Sequence, residues 1–179
     1  MQKLNSHKMK YTLALALFAL LFTSCQQQKI GFVDNGSLIN EYQEKIDIEK
    51  KFQTKINAFQ KRTDSISKAF QLEAQEFQVN ASKLSQKQAQ EQYEALGKKQ
   101  QMLQQKIQFE EQQIQQQSQT EIDSLISKVK TYVKSYGQKH GYTYILGSNE
   151  GGSVMFGQDE NDLTKTILEE LNNAYSAKK

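Results

Sequence analysis

Proline is absent from this chain of 179 residues, and cysteine occurs once, at position 25. Without proline no helix is broken by a missing backbone donor. With a lone cysteine no internal disulfide staples the fold, even in a compartment that would permit one. Glycine is almost missing from the middle of the chain, where Gly97 stands alone between positions 44 and 136. Long hydrophobic runs are lacking too: Tyr11–Phe22 spans about a dozen residues, short of the ~20 that cross a bilayer. Nor is there a real excess of one charge. Lys3, Lys8 and Lys10 account for the whole formal +3, so the chain after residue 24 is close to neutral. A neutral chain lacks the basic footprint of a nucleic-acid binder.

What stands at the N-terminus reads as an address. A lysine-bearing start, a short apolar run and the small residues Thr23-Ser24 before Cys25 match a secretory signal over 1–24. Small residues followed by cysteine resemble a bacterial lipobox, which would make Cys25 a lipid-modified N-terminus. Phe22 departs from the Leu or Val more usual in that motif. An ordinary signal peptide with an incidental cysteine is the plainer alternative, but it leaves an unpaired thiol in an exported chain.

The middle of the chain carries a period. Phe52, Ile56, Phe59, Thr63, Ile66, Phe70, Glu73, Phe77, Asn80 and Leu84 alternate four and three residues apart, an a/d heptad ladder interrupted by Glu73 and Asn80. Tyr93, Leu96, Leu103, Ile107, Glu110 and Ile114 resume it. The phase then shifts before Ile122, Leu125, Val129, Tyr132 and Tyr136, as in a stutter. Between the halves Ser85 and Gln88 form a capping-box signature, the start signal of a second helix. The spacing therefore predicts two antiparallel arms over 44–136 with a tip near 85–90. A single continuous helix in a parallel dimer is the alternative.

Glycines return after Tyr136. Tyr142–Leu146 and Ser153–Phe156 read as two strands of a β-hairpin, and Asp162-Leu163-Thr164 opens a last amphipathic helix with Asp162 or Asn161 as cap. Near the start, Lys29–Asp34 reads as a strand ended by the turn signal Asn35-Gly36, with a helical turn or two over Ser37–Tyr42. The β-segments thus sit at the two ends, 25–43 and 137–179, with the helical hairpin inserted between them. The fold class is α+β and mostly α.

Lys29-Ile30-Gly31-Phe32-Val33-Asp34, a Gln/Lys/Glu-rich hairpin, Gly141-Tyr-Thr-Tyr-Ile-Leu146, Val154-Met-Phe156 and a closing Asp162-Leu-Thr…Leu171-Asn172 together resemble the OmpH/Skp family of periplasmic chaperones, over essentially all of 29–175. The resemblance implies a homotrimer joined through its bases, with arms that surround unfolded outer-membrane β-barrel proteins and use neither ATP nor metal. Two features depart from that pattern. The familiar arms are strongly basic, whereas residues 44–136 carry 15 basic and 12 acidic residues, only a slight excess, so whether anionic lipid or lipopolysaccharide is held by charge does not carry over from the resemblance. A lipid on Cys25 would also tether this chain where the familiar relatives are free.

Chemistry-bearing residues are sparse. His140 follows the long helical stretch, where a cation suits a helix C-terminus. Asp159, Asn161 and Glu170 echo a calcium loop, but Leu163 and Thr164 occupy positions that need a ligand and a glycine. The residues singled out for client binding are Leu72, Val79, Met102 and Phe109, which all fall at c positions off the seam. In an antiparallel pair the g edges adjoin, so both c stripes lie on one face, and a methionine there suits promiscuous contact. Scattered surface hydrophobes are the bland counterpart. Two functions stand on these residues: a holdase, and a structural envelope lipoprotein that tethers layers through its coiled coil.

Overall fold

The chain folds outward along one helix and returns along a longer one, and its two ends meet in a small base. The computed structural model describes residues 28–149 and 151–178, so the expected signal segment and Cys25 lie outside it. Strand β1 (Ile30–Asp34) leads into helix α1 (Asn35–Asn40). Asn35-Gly36 is therefore not a turn after the strand. Asp34 caps α1 by accepting the Ser37 amide at 2.7 Å, and this satisfied cap lets the helix start at once.

Helix α2 (Gln43–Asn80) runs out and helix α3 (Gln86–Lys139), 54 residues long, runs back. The reversal is a 3₁₀ turn, Ala81–Lys83. Ser85 then starts α3 with a complete capping box: its hydroxyl accepts the Gln88 amide while the Gln88 side chain accepts the Ser85 amide. A Schellman motif ends α3, with Gly141 at φ +69° and the Tyr142 amide bonded back to the Gly137 carbonyl at 2.9 Å. That turn feeds strand β2 (Tyr144–Ser148), and after a loop helix α4 (Thr164–Ser176) closes the chain.

Strand β2 pairs with β1, in parallel, with Ile30 opposite Tyr144 and Phe32 opposite Leu146. This corrects the expected β-hairpin, because Ser153–Phe156 is not a strand. Both paired strands enter the base from the same end, β1 from the N-terminus and β2 from the end of α3, so they can only run side by side. On its other edge β1 accepts the Leu163 amide at Phe32 and gives the Asp34 amide to Thr164 Oγ1. Asp162 accepts the Thr164 amide from one residue outside the helix, while Leu163 occupies the capping position expected for Asp162 or Asn161.

One core holds the base together: Val33, Leu38, Tyr42, Leu125, Val129, Leu163, Ile167 and Leu171 are buried against one another. The phase shift in α3 has its cause here. Upstream of it the apolar stripe faces α2. Downstream, Leu125 and Val129 turn toward α4 and β1. The base core consequently reaches into the stretch read from the sequence as arm. Two tyrosine hydroxyls tie the layers together, Tyr132 to Glu170 and Tyr175 to Asp47, while that of Tyr42 donates locally to Glu44 at the start of α2. Burial and then Glu170 push the Tyr132 phenol up to about 12, and burial with Glu44 raises that of Tyr42.

Candidate functional site

The arms are in contact along a seam that buries little. Phe52 is enclosed, whereas Phe59, Ile66, Phe70, Phe77, Leu96, Leu103, Ile107 and Ile114 are half-buried, as expected where only two helices share a core. Polar pairs fix the register. Glu44–Lys128 and Lys51–Glu121 lie one heptad apart, and Lys55–Gln117 and Arg62–Glu110 repeat the step without slippage. Glu73, a break in the apolar ladder, is met across the seam by Lys99. Such partly exposed pairs contribute ~0–1 kcal/mol each, so they align the arms more than they stabilise them.

Near the tip the seam opens. Asn80 bonds within its own arm, to the Glu76 carbonyl and to Lys83, and offers nothing to the facing helix. Tyr93, expected on the seam, is 67 % exposed. Just below lies a groove of about 390 Å³, with Phe77, Leu84 and Leu96 on its floor and Glu73, Glu76 and Lys99 on its rim.

Leu72, Val79, Met102 and Phe109 are all exposed, between 61 and 71 %. The register places Met102 opposite Phe70 and Val79 opposite Tyr93. In three of the cross-arm pairs Lys55, Arg62 and Lys99 occupy g positions, so these three pairs lie on the side that the two c stripes flank. Tyr93 and, at the margin, Ile56 are exposed although their heptad positions placed them on the seam. Asn80, which breaks the ladder near Tyr93, is the sequence signal for the first of them.

The other residues singled out from the sequence are dispersed. His140 is the C-cap of α3 and stacks on Tyr136 at 4.1 Å. Glu170 accepts the Tyr132 hydroxyl and Asp162 accepts the Thr164 amide, so the calcium echo is not gathered into one loop. No group of three or more metal-ligating side chains occurs among the described residues.

The base carries a second exposed apolar surface. Strand alternation sends Gly31, Val33 and Ile145 inward, and leaves Ile30, Phe32, Tyr144 and Leu146 on the outer face of the sheet. Beside it Met155 and Phe156 are 89 and 85 % exposed.

A solved structure of a candidate outer-membrane chaperone (OmpH-like) from Caulobacter crescentus superposes with a TM-score of 0.73 at 14 % identity, over 83 % of this chain and 86 % of that one. No curated protein matches the sequence. The family model described as outer membrane protein (OmpH-like) matches residues 29–171, from the first strand through most of the closing helix. The chain belongs to the OmpH-like outer membrane protein family.

Proposed function

We propose that this protein is an ATP-independent holdase of the periplasm, lipid-anchored through Cys25 to the outer membrane, which binds unfolded outer-membrane β-barrel proteins between the arms of a homotrimer. The observation that carries the reading is the exposed apolar strip, Leu72, Val79, Met102 and Phe109, on arms whose own seam does not use it. Weak contacts at many such points gain affinity by avidity. Preferential binding of unfolded chains holds them soluble by mass action, with no energy source and no cofactor. The outer sheet face, with Met155 and Phe156, supports assembly through the base: an apolar patch of this kind is one that a monomer seldom leaves bare.

The second reading, a structural envelope tether, is favoured by the long, near-neutral arms and needs no client strip. Replacing Leu72, Val79, Met102 and Phe109 together by Gln separates the two. Glutamine preserves helix propensity, and surface substitutions cost under about 0.5 kcal/mol each. Helicity and melting temperature should stay close to those of the parent, while suppression of aggregation of an unfolded β-barrel protein should fall several-fold. Full retained activity would refute the strip as the client surface.

A further inference from the structure

The end of the base from which the N-terminus leaves carries an inference about orientation. Only Gln26 and Gln27 separate Cys25 from Gln28, where the described chain begins, and the three Cα steps span at most about 10 Å at 3.3–3.6 Å per residue. Lys29 is held in place: its carbonyl accepts the Thr143 amide at 2.8 Å, its ammonium donates to the His140 carbonyl at 3.2 Å, and it lies over the Tyr142 ring at 4.1 Å. His140 is the C-cap of α3. The anchor point is thereby locked to the end of the longest helix, and the tip is at that helix's other end, 54 residues or about 80 Å away.

We infer that the pole of the base formed by Gln28, Lys29, Lys139 and His140 rests on a phospholipid bilayer surface, with the arms standing away from it. This inference rests on the lipoprotein reading of Cys25. Glu160 lies beside Gln28 and Lys29 at the pole, so the tether rather than net charge sets the contact. Among the described residues no helix is long and apolar enough to enter the membrane. Two or more such tethers, side by side in the proposed assembly, keep the arm axis out of the bilayer plane. At 1.5 Å per residue along α3, the strip from Phe109 to Val79 is then held about 45–70 Å above the headgroups. Clients are met in the body of the compartment rather than at the membrane surface.

The test uses the acylated full-length protein in vesicles of phosphatidylcholine and phosphatidylglycerol that carry a headgroup quencher. With Cys25 acylated, an introduced cysteine is the sole thiol. A fluorophore on Gln138→Cys reports the pole and one on Ser82→Cys reports the tip. The pole label should be quenched several-fold more than the tip label, in low and high salt alike. Inserting about twenty Gly/Ser residues after Gln26 should remove most of that difference while the protein stays bound. Equal quenching of the two labels on an acylated, vesicle-bound protein would overturn the orientation alone. A free Cys25 thiol by intact mass, with no vesicle binding, would overturn the lipoprotein reading and the orientation with it.

Discussion

Gly31 shows how a single position answers to residues far away in sequence. A Cβ built there would lie 2.6 Å from Leu163 Cδ1 and 3.0 Å from the Tyr142 ring. Both neighbours are themselves packed in the base, so neither can yield freely. Gly31→Ala should lower stability by about 1–3 kcal/mol through overpacking, read as the urea midpoint of unfolding followed by far-UV circular dichroism. An unchanged midpoint would mean that Leu163 repacks at no cost. The strand pattern Lys29–Asp34 made a glycine at this place visible but not its reason, because the reason comes from the other end of the chain. Tyr93 is the reverse case. Heptad position assigned it to the seam, but near the tip, where Asn80 bonds within its own helix, the ring is exposed.

At the junction of arm and base Glu44 pairs with Lys128 across the two helices. Burial alone would raise the Glu44 carboxyl, but hydrogen bonds from Lys128 and the Tyr42 hydroxyl, with the charges of Lys128 and Lys178, hold it below its ordinary 4.5. A carboxyl whose pKa is lowered by folding binds its proton more tightly in the unfolded chain. It stabilises the fold above that ordinary value, and the contribution fades as pH falls through the lowered folded value. Glu44→Gln should therefore melt lower than the parent near neutrality and lose less of its melting temperature as the pH is taken from about 6 to about 3. Parallel pH profiles for the two proteins would rule the pair out as a junction. Tyr132 behaves in the opposite sense. Its phenol is raised in the fold, so its contribution is present below pH 10 and is lost as the pH climbs past about 12.

At the scale of the molecule, arm and base are separable only above the layer where α3 changes its facing. Leu125 and Val129 belong to the base core, so a cut that removes them would unfold the base rather than shorten the arm. Removing residues 63–76 and 97–110 takes two heptads from each arm in register and shortens them by about 20 Å. Light scattering should find this variant in the same oligomeric state as the parent, with holdase activity much reduced because Leu72, Met102 and Phe109 go with the deleted turns. A monomer at micromolar concentration would place assembly in the arms. Cys25→Ser should leave melting unchanged, since no disulfide is lost, and should release the protein from membranes. Persistent membrane association of that mutant in high salt would count against the anchor.

The two arms, the capping box at Ser85, the stutter before Ile122 and the apolar face of the closing helix were all legible in the residues. Each is a local pattern, set by helix period and capping chemistry within a few turns of chain. The exposure of Leu72, Val79, Met102 and Phe109 could also be read from their c positions. Tertiary structure alone decided the parallel pairing of β1 with β2 and the loss of a strand at Ser153–Phe156. Pairing direction depends on which end of the base each segment enters, and no period in the sequence records that. The reach of the base core into α3 was hidden for the same reason: a heptad ladder states that a stripe is apolar, and only the packed neighbours determine whether it meets another arm or the base.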